Sequence, residues 1–267
     1  MAEYQINTPP HSQNGQGRCV IINADDFGIH QETTLKIERM ITAGKVSSTT
    51  VMANGEALDE VRRFAALHPE VSFGVHLCLS DLDSLTKSEG LRKAGLTDEN
   101  GRFIRKTVFR VATLEDKDVQ CAIREELNAQ IDVVSTLGFT ISHADSHHHV
   151  HTIYPLREVF SEVLKDRGIT KIRLGADFRT LRQRRHLFVW MRRNKLNNYY
   201  KANFTTTSSF YSVAEFLKAG CPIKEGQTIE LMCHPGHSGE GYRKEMAMLE
   251  KDLLPKDIKL ISYNDLY

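Results

Sequence analysis

Neither sign of charge is in excess in this chain: 35 lysines and arginines face 34 acids across 267 residues. That balance supplies no global attraction to nucleic acid or to a membrane surface. No apolar run approaches the roughly 20 residues needed to span a bilayer. Residues 1–18 lack the apolar core of an export signal and read as a disordered lead-in. The cysteines (Cys19, Cys78, Cys121, Cys221 and Cys233) are odd in number, scattered, and without a CxxC pair. They are expected to be reduced thiols of a cytoplasmic protein and not a disulfide framework.

What is present is an ordinary globular composition, 40% hydrophobic and 26% charged. A chain of this length buries roughly three quarters of its unfolded surface and needs no staples. Hydrophobic spacing predicts strands over 19–23, 46–53, 71–79, 139–146, 169–174, 228–233 and 258–262. It predicts helices over 32–43, 58–68, 118–137, 155–167, 213–219 and 242–254. Residues 80–115 are polar, carry Gly90, Gly95 and Gly101, and read as an excursion over the mouth of the domain. The stretch 179–201 is basic (Arg182, Arg184, Arg185, Arg192, Arg193, Lys195 and Lys201) and is interleaved with Leu187, Phe188, Trp190, Tyr199 and Tyr200. With global charge balanced, it reads as a helix packed on the body with a solvated basic face, and not as an RNA- or membrane-binding element.

Repeated strand–helix units imply a parallel sheet. Several predicted strands end in chemically capable residues: Asp25-Asp26, His76, His147, Arg173 and His234. Reactive groups gathered at the carboxyl ends of parallel strands mark the mouth of a (β/α) barrel. The expected architecture is therefore α/β, a single (β/α) TIM-like barrel over residues 19–267 with no internal repeat.

The densest chemical signal is His143-Ala144-Asp145-Ser146-His147-His148-His149-Val150-His151, which holds five of the chain's 12 histidines. Positions 143, 145, 147, 149 and 151 share one parity, so an extended strand would present four imidazoles and a carboxylate on one face. Imidazole suits zinc and its neighbours, and the carboxylate widens the range towards magnesium and manganese. Each remaining candidate has a plainer reading beside the chemical one. Asp25 and Asp26 could cap a helix. His76, among apolar neighbours, could be a satisfied core residue, and Arg173 could form a surface salt bridge. His234 precedes Pro235-Gly236, a turn that leaves its imidazole at a strand tip, suited to acid–base work near neutral pH.

Six segments together resemble the YdjC-like carbohydrate deacetylase family. They are INADDFG (22–28), GVHLCLS (74–80), HADSHHHVH (143–151), SSFY (208–211), ELMCHPG (230–236) and SYNDL (262–266). The family's best-known members are chitooligosaccharide deacetylases. The resemblance implies a deformed (β/α) barrel that uses one divalent metal ion, magnesium or zinc, to hydrolyse the N-acetyl group of an amino sugar. By motif position it implies Asp26, His76 and His147 as metal ligands, Asp25 as general base and His234 as general acid. It leaves Asp145 to orient a ligand imidazole, and Arg173 to orient Asp25 or bind sugar. His143, His149 and His151 would support the ligands or touch the substrate. The chain departs from the family pattern at Ser80–Ser84, where a threonine–glycine–proline run is usual, and at Ser212, where glycine is usual.

Two other readings stay open at this point. A metal-dependent phosphoesterase on a histidine-rich barrel would assemble more than one metal. A sugar-binding protein without catalysis would have lost the base, a ligand or the acid, and all five positions are present. The sugar, its chain length, the metal and the oligomeric state, a homo-oligomer included, are not fixed by sequence.

Overall fold

The computed structural model describes residues 17–109, 111–176, 187–220, 223–251, 254–255 and 257–267. The expectations for residues 1–16, for Arg182, Arg184 and Arg185, and for Cys221 lie outside the described residues. The apolar strand that carries the acid pair is β1, Arg18–Phe27, buried from Cys19 onward. After it come α1 (Gln31–Thr42), β2 (Ser48–Val51), α2 (Leu58–Leu67) and β3 (Ser72–Leu77). The excursion follows, with three short helices, α3 (Glu89–Lys93), α4 (Arg105–Val108) and α5 (Val111–Leu114). The chain then forms α6 (Lys117–Ser135), β4 (Ala144–Ser146), α7 (Arg157–Asp166) and α8 (Leu187–Asn203). It ends with β5 (Ser209–Ser212), α9 (Val213–Lys218), β6 (Thr228–Cys233), α10 (Glu240–Glu250) and β7 (Ile258–Ile261).

The strands pair in parallel in the order β4-β3-β2-β1-β6-β5, and β7 pairs with the start of β1. β1 is central because it is apolar enough to be buried on both faces, as parallel sheets require. Its first residues, Arg18–Ile21, pair with β7, and the stretch from Asn23 to Phe27 pairs with β2. Isolated parallel bridges at Ala144–Ile172 and Lys171–Thr205 carry the hydrogen bonding past β4. The result is a curled parallel sheet with flanking helices, a deformed TIM-like barrel. One large apolar cluster, from Val20 to Ile258, fills the space between sheet and helices.

Two predicted strands form over less than half of the length that their sequence pattern suggests. The stretch 139–146 yields only the three residues of β4, and 169–174 yields only bridges. Both lie where the barrel is least regular, and their polar residues serve side-chain contacts in place of a ladder. β5 was not predicted, because four residues flanked by serines and threonines give no readable alternation. The excursion is tied down by the buried Glu126 of α6, which accepts bonds from the backbone of Leu85 and Thr86 and from the Thr86 hydroxyl. Its Arg105 and Phe109 reach the cleft, so it does border the mouth. In α8, Leu196 and Tyr200 are buried while Trp190 and Met191 are exposed, the arrangement of a helix lying on the body. Among the described residues no helix is long and apolar enough to cross a membrane. Cys19, Cys78, Cys121 and Cys233 are free thiols.

Candidate active site

Adjacent residues on a regular strand face opposite sides of the sheet. At the end of β1 the pairing with β2 slips between Ala24 and Phe27, and Asp26 adopts a left-handed φ of 68°. This bulge brings both carboxylates, Asp25 and Asp26, to the same cleft. A non-glycine residue held in that conformation costs on the order of 1–3 kcal/mol and persists only where its surroundings fix it. Here imidazoles fix it. Asp26 Oδ1 lies 2.9 Å from His147 Nδ1 and 3.1 Å from His76 Nε2. On the other oxygen, His237 Nε2 is 2.9 Å from Asp26 Oδ2, but off the axis that a hydrogen bond needs, so this buried nitrogen has no bonding partner.

Asp26 Oδ1 stands from the His76 and His147 nitrogens at the spacing of ligands around one ion. Bonds of about 2.0–2.1 Å set at tetrahedral or octahedral angles place neighbouring donor atoms about 2.8–3.4 Å apart. The donor atoms of these three buried residues all fall within 4.8 Å of one another. His76 is oriented from behind: its Nδ1 is 2.6 Å from Asp145 Oδ1 and 3.2 Å from Thr50 Oγ1. A carboxylate on the remote nitrogen fixes the ring and makes it a better ligand. A second three-donor group, Asp25, His76 and Asp145, also exists. The guanidinium of Arg173 already lies within 2.6 Å of both of its acids. A cation therefore fits the first group, and the second is neutralised by arginine.

Burial would raise both acids at the end of β1, yet both are held below the usual carboxylate range. For Asp26 the imidazoles of His147, His237 and His76 outweigh burial. For Asp25 the Arg173 guanidinium does so, by charge and by two hydrogen bonds of 2.6 and 2.7 Å. Asp25 is thus an ionised acceptor that is not among the three converging donors. His234, after β6, places Nε2 4.0 Å from Asp25 Oδ2 and Nδ1 3.6 Å from Glu245 of α10. Burial pushes this imidazole towards neutrality, but Glu245, Asp25 and Asp26 raise its pKa overall and favour the protonated form. Gly236 is required in the turn that follows: its φ is +92°, and a Cβ would sit 2.7 Å from Thr33 Cα.

The histidine run is not one extended strand. The chain leaves β4 at His147 and winds through a 3-10 segment, His147–Thr152, with His148 and His149 left-handed at φ 51° and 56°. The single-face expectation fails beyond His147, and the imidazoles disperse. His143 stacks on Tyr263 with ring centroids 3.6 Å apart. His148 Nδ1 is 2.9 Å from Ser80 Oγ, and burial with the neighbouring His147 lowers its pKa to about 4. His149 lines the cleft edge-on to Phe210, and burial beside Arg173 lowers its pKa to about 3. His151 turns away to hydrogen-bond Ser146 and lies outside the cleft lining. Arg173 is no surface residue: it is fully buried and also meets Asp145 and Glu230.

Sequence reasoning missed His237, Glu245, Glu230 and Thr50. His237 carried a signal, a second histidine just past the Pro235-Gly236 turn. Thr50 and Glu230 lie inside strands, and only the sheet order shows what they face. The cleft has a volume of about 730 Å³, and Asp25, Asp26, His76, His147, His234 and Tyr242 are among the residues that line it.

The family model described as YdjC-like protein matches residues 19–259. A carbohydrate deacetylase of Geobacillus stearothermophilus is 31% identical over 94% of this chain and 98% of its own length. One from Listeria welshimeri is 30% identical over 92% of each chain. A crystal structure from Enterococcus faecalis V583, provisionally described as a cellobiose-phosphate cleavage protein, superposes with a TM-score of 0.67. It is 21% identical and covers 93% of this chain and 98% of its own, which supports the same fold. Together with the placement of the INADDFG, GVHLCLS, HADSHHHVH and ELMCHPG segments around one cleft, these likenesses establish that the chain belongs to the YdjC-like protein family.

Proposed function

We propose that the chain is a metal-dependent carbohydrate deacetylase. It removes the N-acetyl group of an amino sugar or chitooligosaccharide-like oligomer, giving acetate and a free amine. The observation that carries this reading is the separation of roles in one cleft. A buried Asp26–His76–His147 cradle has ion-like spacing, and beside it an ionised Asp25 faces a protonation-prone His234. The likeness to carbohydrate deacetylases supports an acetylated carbohydrate as the substrate.

An acetamide is resonance-stabilised and its amine is a poor leaving group. Hydrolysis therefore needs an activated water, a stabilised oxyanion and a proton for nitrogen. A magnesium or zinc ion held by Asp26, His76 and His147 supplies Lewis-acid polarisation and charge stabilisation. Asp25, ionised through Arg173, accepts the proton of the water that attacks the acetyl carbon. His234 Nε2–H donates a proton to the departing nitrogen as the C–N bond breaks. Asp145 keeps His76 turned towards Asp26. The arginine-filled second acid group argues against the multi-metal phosphoesterase reading.

The two departures from the family pattern fall differently. Ser212 accepts a bond from the Glu215 backbone and, with the Glu215 side chain, forms a capping box that starts α9, a local folding role. The 80–84 segment borders the cleft through Asp81 and through the Ser80–His148 contact, so it is where substrate choice would differ.

The deciding experiment is acetate release from N-acetylated mono- and oligosaccharides, with metal content measured on the same sample. Release that requires the metal is expected, and phosphatase turnover without amidase turnover would overturn the reading. His147→Ala should strip the metal, and full occupancy by elemental analysis would remove His147 from the ligand set. His234→Ala should slow amide hydrolysis by about 10²–10⁴-fold, the range for a lost acid–base group. An activated acetate ester, which needs no leaving-group proton, should suffer less. Equal losses on both substrates would rule out the acid role.

A further inference from the structure

Asp25 belongs to a closed circuit of buried side chains, most of which lie outside the cleft. Arg173 donates from Nη1 and Nη2 to Asp25 and from Nε to Glu230 Oε1 at 2.7 Å. The other Glu230 oxygen accepts from the Tyr263 hydroxyl at 2.6 Å. The Tyr263 ring stacks on His143 at an interplanar angle of 9°. His143 Nε2 is 3.1 Å from Asn23 Oδ1, and Asn23 Nδ2 donates back to Asp25 Oδ1 at 2.9 Å. Every member is at most 1% exposed.

The circuit joins distant parts of the chain. Asn23 and Asp25 come from β1, His143 from the residue before β4, Arg173 from the stretch after the Ile172 bridge, and Glu230 from β6. Tyr263 opens a 3-10 turn fixed by a capping box between Ser262 and Asp265, and its carbonyl accepts from Lys171 Nζ at 2.6 Å. Gly74 on β3 makes room for His143, since a Cβ there would lie 2.6 Å from the ring. Glu230, Tyr263 and His143 are absent from the cleft lining, so none is placed to touch substrate.

Pinning matters because Arg173 serves three acids. Its Nη1 is 2.6 Å from both Asp25 and Asp145. A guanidinium held only at that end could tilt towards either. Engaging Nε with Glu230 fixes the plane, and a bidentate fork transmits that orientation to the carboxylate. Burial pushes Glu230 up to about 7, while Arg173 and the Tyr263 hydroxyl both favour its anion.

We propose that Glu230 and Tyr263 are positioning residues that act through Arg173 to aim the Asp25 carboxylate at the reacting water. The proposal rests on Asp25 being the general base. Tyr263→Phe keeps the stacked ring and removes only the hydroxyl, and Glu230→Gln keeps the shape and removes the charge. The assay is acetate release from an N-acetylglucosamine oligomer that the wild-type protein deacetylates. In each variant kcat should fall about tenfold or more, since an ångström of misplacement costs up to about 10²-fold. KM should stay within about twofold and metal content should not change, the pattern of a loss confined to the transition state. The double variant should be no slower than the slower single one. Wild-type kcat in both variants, with or without a lowered Tm, would overturn the proposal, as would a fall in kcat matched by metal loss. Asp25→Asn on the same substrate separates the two levels. Full activity there removes the base assignment and this inference with it. An inactive Asp25→Asn beside fully active Tyr263→Phe and Glu230→Gln removes the positioning role alone.

Discussion

Asp25→Asn should lower kcat for acetate release by about 10²–10⁴-fold, the range for a positioned base, and leave the metal content unchanged. Asp25 and Asp26 are adjacent, buried and in the same cleft, so their roles must be separated by their partners. Asp26 is surrounded by His76, His147 and His237, and its Oδ1 sits at ligand spacing from two imidazole nitrogens. Both oxygens of Asp25 are taken by the Arg173 fork; His234 stands 4.0 Å away, and His76 approaches Asp25 only as part of the donor group that the arginine already neutralises. An arginine-bound carboxylate is a poor site for a second cation, and it stays ionised and so open to a proton. The amide has the same shape and cannot take that proton. Elemental analysis and steady-state kinetics on one preparation decide the matter. Loss of metal in Asp25→Asn would move this residue into the ligand set, and unchanged turnover would remove it from the chemistry.

The division between Asp25 and Asp26 also shows where sequence reading stops. Their presence at the end of an apolar strand was legible, because CVIIN before two acids can hardly be anything but a buried strand reaching a surface. That both face one cleft was not, since strand periodicity sends neighbours to opposite faces, and only the bulge and the left-handed Asp26 override it. The histidine run misled in the opposite sense. Parity aligned His143 to His151 on one face, but the chain leaves the strand at His147, so only His147 reaches the Asp26 cradle. Strand–helix alternation gave the barrel class because amphipathic helices and apolar strands each carry their period locally. Arg173 could be read as surface or site with equal ease, because its three acids come from β1, β4 and β6, and no local pattern announces that they converge.

That convergence makes Arg173→Met the substitution with the largest expected effect on stability, a loss of about 3–5 kcal/mol, as when one partner of a buried ion pair is removed. Methionine fills much of the space but leaves Asp25, Asp145 and Glu230 buried without the cation that each contacts at 2.6–2.7 Å. Glu230 is already pushed up to about 7 by burial with the arginine in place. Without the guanidinium the three carboxyls should bind protons in the folded state at pH values where the unfolded chain has released them. Stability then falls as pH rises through that window. In the wild-type protein Asp25 behaves in the opposite way: its lowered pKa contributes stability that is present above its ordinary value and lost as pH falls. The gap between variant and wild type should therefore widen from about pH 5 to about pH 8 in denaturant unfolding. Adding Glu230→Gln to Arg173→Met should narrow it, because one of the stranded charges is gone. A gap under about 1 kcal/mol at both pH values would mean the acids find other partners or water, and that the arginine is not the keystone of this barrel's polar interior.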